Sequence, residues 1–139
     1  MKLPLDVYFR SELGLLLWNP CGVLNEKVVN KIIAFIRDEE ANSNEPELRF
    51  IDTTALTAID LNFRYVFHVA LYRRVSRQGR SSVKSAFLIQ NPAFEHYFKL
   101  HGLLTDHSPL QVRLFEEEKA AAEWLEVSID SLRLPQIAS

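Results

Sequence analysis

The sequence predicts an α/β fold, a mixed β-sheet of about five strands covered by four helices in the order ββαβαβαβα. Three observations carry this. Two short β-type runs, Val7 to Arg10 and Leu13 to Trp18, open the chain with only Ser11-Glu12 between them, which predicts a tight hairpin. From Leu48 onward strand-type and helix-type patterns alternate, which favours parallel pairing through right-handed crossovers. The 139 residues, 47% hydrophobic and 24% charged, suit one globular domain with a substantial core. The hairpin must then add at least one antiparallel strand to an otherwise parallel sheet.

After the hairpin, Asn19-Pro20-Cys21-Gly22 is a break. Asn25 is a predicted helix N-cap, because its side chain can accept from free first-turn N–H groups. Leu24 and Val29 flank it at the spacing of a hydrophobic staple. Val28, Val29, Ile32, Ile33, Phe35 and Ile36 make an apolar stripe at helical period, and the first helix should end near Glu40. Asn42 to Pro46 is a solvated loop. Leu48 to Thr53 is the next strand. The second helix should begin around Asp60 to Asn62 and run to Ser76, burying Phe63, Val66, Phe67, Ala70 and Leu71, with Arg64, His68 and Tyr72 on a more exposed face.

Gln78 to Ser82 stops that helix, and Val83 to Ile89 is a strand. Asn91 caps a third helix with Pro92 at its first position, where the missing N–H costs nothing. Phe94, Tyr97, Phe98 and His101 follow at helical spacing, and Gly102 fits a left-handed helix end. Gln111 to Phe115 is the last strand. Glu116-Glu117-Glu118 favours a helix N-terminus, and the helix from Ala120 to Glu126 should bury Trp124 and Leu125. The domain is placed at residues 1–127, with 128–139 as a loose tail.

Composition excludes several classes. A net charge of −2 and a pI of about 6.1 give no global attraction for nucleic acid or an anionic membrane. One cysteine, Cys21, rules out an internal disulfide framework or a CxxC metal site. The opening MKLPLDVYFR lacks the apolar core of a signal peptide, and no apolar run approaches a membrane span, so the expected location is cytoplasmic. No P-loop, GxGxxG or GxSxG occurs. His96 and His101 do not share a helix face, and no converging ligand set is visible, so neither a metal nor a cofactor is expected.

The segment from Phe50 to Phe63 is the most telling. It reads as a strand ending in Asp52, a turn, a second carboxylate at Asp60, and then a helix. The carboxyl ends of strands are the usual ligand or partner position in an open α/β sheet. Capping and loop shaping are the expected roles of the two aspartates. Catalysis would need a pocket and pKa values driven apart, and no histidine or lysine stands at a telling position beside them.

Four local motifs, in order, resemble those of STAS domains, the module of anti-sigma-factor antagonists and sulfate-transporter tails. They are Gly22-Val23-Leu24-Asn25, Asp52 to Asp60, Leu100-His101-Gly102-Leu103 and Glu117 to Leu125. Together they span most of residues 7 to 126. The resemblance implies a STAS-like fold, a bacterial signalling context and a protein partner: an anti-sigma-factor-like or kinase-like protein, another STAS protein, or a second copy of the chain. In antagonists of this family a serine or threonine just after the second aspartate is phosphorylated by a partner kinase. Here Leu61 and Asn62 stand at those positions, and neither can take phosphate. Phe63 replaces the usual glycine after the acceptor. Thr53, Thr54 and Thr57 are the nearest hydroxyls.

The expected function is therefore a non-catalytic interaction domain without the family's switch. Its docking surface would comprise Thr57, Asp60, Leu61, Asn62, Arg64, His68 and, on a neighbouring loop, Asn91. An alternative is a small-molecule or lipid carrier holding an apolar ligand between helices and sheet, suggested by Phe94, Tyr97 and Phe98. Arg73, Arg74, Arg77, Arg80 and Lys84 form a basic cluster that also suits a helix C-terminus.

Overall fold

The computed structural model describes residues 7–10, 12–41, 48–76, 83–104 and 110–133. Its elements run β1 (Val7–Arg10), β2 (Leu15–Trp18), β3 (Gly22–Asn25), α1 (Glu26–Ala41), β4 (Leu48–Asp52), β5 (Leu56–Asp60), α2 (Phe63–Ser76), β6 (Val83–Leu88), α3 (Glu95–Leu104), β7 (Leu110–Phe115) and α4 (Glu118–Leu125). Short 3-10 turns at Pro92–Phe94 and Ile129–Leu132 precede α3 and follow α4.

The main sheet has five strands in the order β1-β2-β4-β6-β7. β1 pairs antiparallel with β2, and the other neighbours pair in parallel. This is the mixed sheet the sequence predicts, with β4 at its centre. The predicted caps also form. Asn25 Oδ1 accepts from the Val28 amide at 3.1 Å, and Asn91 Oδ1 accepts from Ala93 at 2.9 Å with Pro92 behind it.

Two short strands were not expected. Gly22–Asn25 and Leu56–Asp60 pair in parallel as a separate two-stranded ladder. The sequence reading placed a break and a turn there. Gly22 takes φ +75, a left-handed conformation that glycine adopts without strain, and its amide donates to Ala55 O at 3.2 Å. The chain is thereby bent out of the β2 line and into a second pairing.

The alternation of side chains along each strand sorts the core into two sides. On one, Leu15, Leu17, Phe50, Ala86 and Leu88 pack under α4 and the following 3-10 turn. On the other, Leu16, Trp18, Ile51, Phe87, Val112 and Leu114 face α1, α2 and α3.

Several expectations need correction. The hairpin turn includes residues 12–14, with β2 starting at Leu15 and Gly14 at φ +61 supplying the reversal. Gly102 is not a helix end. It lies inside α3, where a Cβ would meet Val112 Cγ1 at 3.6 Å. Residues 128–133 are not loose. Glu126 closes α4 in the left-handed region, and the chain folds back to bury Leu132 in the α4-side core. Arg10 then holds that turn, its Nε donating to Ser131 O at 2.8 Å and Nη2 to Arg133 O at 2.7 Å. Trp124 is half-buried, its ring flanked by the cations of Lys84 and Arg113, each 5.4 Å from the centroid. The Asn42 to Pro46 loop, the Gln78 to Ser82 stop, and Arg77 and Arg80 lie outside the described residues.

Candidate functional site

The segment after β4 is held by local hydrogen bonds. Asp52 Oδ1 accepts from the Thr54 amide at 2.9 Å and hydroxyl at 2.6 Å, so it shapes the turn as expected. The buried Thr53 donates its amide (3.1 Å) and hydroxyl (2.6 Å) to Leu88 O, tying the turn to β6. Both hydroxyls therefore serve structure. Thr57 and Asp60 are exposed on β5, in a strand rather than in the predicted loop.

Asn62 caps α2, its Oδ1 accepting from the Tyr65 amide at 2.7 Å. The position where the resemblance places a phosphoacceptor is thus occupied by a side chain engaged with its own helix. Leu61 is half-buried and points into the core side facing the helices. Arg64 and His68 are exposed on α2, and His68 meets the Phe67 ring edge-on at 6.2 Å. Asn91 stands apart from these. With Gln90 and Glu116 it lines a separate polar recess, to which none of the other predicted site residues contributes.

The predicted buried stripe of α2 is only partly buried. Val66 and Ala70 point into the core, whereas Phe63, Phe67 and Leu71 are 54%, 42% and 38% exposed. These three recur every four residues and form one apolar row on the outer face of α2. Val23 of β3 is also exposed, at 46%. Phe63 stacks on Tyr97 of α3 with ring centroids 5.3 Å apart, so the row continues towards α3 at its N-terminal end.

Beneath α2 lies a cavity of about 130 Å³ between the sheet and α1, α2 and α3. Its walls are almost wholly apolar, with Leu24, Ile32, Ile51, Val66 and Phe98 among them. Arg49 and Ser85 interrupt them from the sheet. They are cross-strand neighbours in β4 and β6, both buried, and both line this cavity. Tyr65 sits on the wall and bridges α2 to α1, its hydroxyl donating to Asn30 Oδ1 at 2.6 Å. Burial first, and the Glu26 charge second, hold the Tyr65 phenol above its usual titration range. Of the predicted site residues only Leu61 reaches the cavity.

Sequence reasoning missed Arg49 and Ser85. The signal was present: a central parallel strand is buried on both faces and should read as a continuous apolar run. A charge in the middle of Leu48-Arg49-Phe50-Ile51 is therefore an anomaly that needs a reason. The aromatic residues of α3 divide. Phe94 and Phe98 are core, with Phe98 4.9 Å from Phe87, while Tyr97 is half-buried on the cavity wall. Among the described residues no group of three His, Cys, Asp or Glu side chains converges to hold a metal, and no helix is long and apolar enough to cross a membrane. Lys84 belongs to the α4 side, donating to Trp124 O at 3.2 Å.

No protein-family model and no curated protein sequence matches the chain. A solved structure does. It is an uncharacterized protein from Shewanella loihica PV-4, of the DUF3478 family and described as having a SpoIIAA-like fold. The two share 18% identity with a TM-score of 0.53, over 80% of this chain and 83% of that one. Identity this low speaks to architecture alone: the chain has a SpoIIAA-like fold, the STAS-type arrangement that its four sequence motifs imply.

Proposed function

We propose that this protein is a non-catalytic interaction domain that docks a protein partner on the outer face of α2. The observation that carries this reading is the exposed row Phe63, Phe67 and Leu71. A row of large apolar side chains on a helix surface, rimmed by polar groups, is the usual mark of a protein-binding surface. Arg64 and His68 supply the polar rim, and Leu61-Asn62 sets where the helix begins. Aromatic anchors of this kind dominate interface energetics. In this reading no phosphate toggles the surface, because Leu61 and Asn62 carry no hydroxyl, and binding is constitutive.

The test places a photo-crosslinking residue at His68 and, as a control, at the exposed Glu123 of α4, in cells of the source organism. The reading expects a discrete protein adduct at position 68 that disappears in Phe63→Glu/Phe67→Glu. Adducts that are the same at both positions sink it. Stoichiometric phosphate on a peptide covering residues 48–64, after incubation with the source organism's kinases and ATP, would overturn the absence of a switch.

A further inference from the structure

The charge around the exposed row of α2 says what kind of partner it fits. Residues 61–83 contain five arginines and no aspartate or glutamate, in a chain whose net charge is −2. Arg64 and His68 stand exposed on α2, and Arg73 and Arg74 belong to its last turn. Asp60 ends β5 just before the helix, and on α3 Glu95 is already paired with Lys99 at 3.1 Å. The apolar row Phe63, Phe67 and Leu71 thus lies in a positive field that no carboxylate of its own helix offsets. The row advances four residues at a time, so its ends are about 12 Å apart along the helix axis.

We infer, resting on the reading that this face docks a protein, that the partner presents an amphipathic α-helix with an acidic rim. Its apolar side chains meet Phe63, Phe67 and Leu71, and its Asp and Glu side chains flank Arg64 and the last turn of α2. Two features favour a helix over an extended segment. The backbone of α2 offers no free edge, so a strand laid on it leaves N–H and C=O groups unpaired against an apolar surface, whereas a helix satisfies its own. Anchors one turn apart on α2 also match anchors at i, i+4 and i+7 on a facing helix. Two other occupants fit less well. A second copy docked through the same face sets arginine against arginine, because a two-fold interface repeats one patch on both sides. An anionic bilayer attracts the arginines, but α2 already commits Val66 and Ala70 to the core, which leaves only the exposed row to insert.

The test is selection of binders from a display library on a stable helical-hairpin scaffold, with one helix face and its rim randomised. The full chain is the target, and Phe63→Glu/Phe67→Glu is the counter-target. Binders specific for the wild type should carry Asp or Glu at the rim and few Lys or Arg. The best of them should lose at least about tenfold in affinity for Arg64→Glu, an exposed substitution that leaves the core intact, and exchanging its facing carboxylate for lysine should restore binding to that variant. Its affinity should also fall between about 0.1 and 1 M salt, as the screening length shortens from ~10 to ~3 Å. Wild-type-specific binders with neutral or basic rims overturn the inference and leave the docking face standing. The absence of any wild-type-specific binder overturns both. A library of linear peptides is panned alongside, and enrichment there of proline-containing, non-helical sequences overturns the helix. Ultracentrifugation and sedimentation with phosphatidylserine–phosphatidylcholine vesicles address the other occupants. Self-association or vesicle binding that is lost in Phe63→Glu/Phe67→Glu overturns the inference in favour of a second copy or a lipid surface.

Discussion

On the α4 side of the sheet, Leu17, Phe50, Ala86 and Leu88 meet Ala121, Ala122, Leu125 and Leu132, and every one of them is nearly closed to solvent. On the opposite side the same strands present Ile51 and Phe87 together with Arg49 and Ser85, and the covering helices leave a cavity. The two sides use alternate residues of one set of strands. The first buries every one of these side chains, with a polar recess at its edge beside Leu17, Phe50 and Leu132, and in such an interior an extra methylene is felt at once. The second contains a buried charge, a space and a helix with aromatic residues on its outer surface. A charge removed from water costs stability unless something compensates it, and among the described residues the buried charge of Arg49 stands on this side alone.

Substitutions can break or sharpen that contrast. The largest effect should come from Phe50→Ala, which empties the filled side and should cost ~3–5 kcal/mol in a urea unfolding series. Leu132→Ala should cost ~2–5 kcal/mol by the same measurement, because residues 128–133 complete that core. Near-zero loss would mean that the folded-back turn is dispensable.

A matched pair of enlargements tests the contrast directly. Ala122→Leu overfills the packed side and should cost ~1–3 kcal/mol. Val66→Phe, directed into the cavity, should unfold within about 1 kcal/mol of the wild type, since space exists for it. Equal penalties would show the two sides to be equally filled. Asn62→Ala removes the α2 cap and should lower stability by ~1 kcal/mol. The smallest change belongs to Phe67→Ser on the outer face: thermal unfolding should stay within ~0.5 kcal/mol of wild type while crosslinking through α2 is lost.

Much of the framework was legible because its signals are local. Asn25, Asn62 and Asn91-Pro92 announce helix starts through side chains that reach only two or three residues along the chain. The helical period of Val28 to Phe35 needs nothing beyond its own turn. The paired strands β3 and β5 were not legible. Each is short, and each is a strand only because the other lies beside it. The outer row of α2 was misjudged for a related reason. Apolar residues occur on more than one face of that helix, so periodicity marks Phe63, Phe67 and Leu71 as readily as Val66 and Ala70.

By itself, then, the sequence determined the kinds and order of the main elements, the antiparallel start of the sheet and the missing hydroxyl at Leu61 and Asn62. Tertiary structure decided which side of each element is covered, that Arg49 and Ser85 stand together over a cavity, that Leu132 joins the α4-side core, and that three large apolar side chains of α2 face outward. The physical reason is range. Caps, turns and periodicity act within one turn of chain, whereas burial depends on which distant segment arrives to exclude the water.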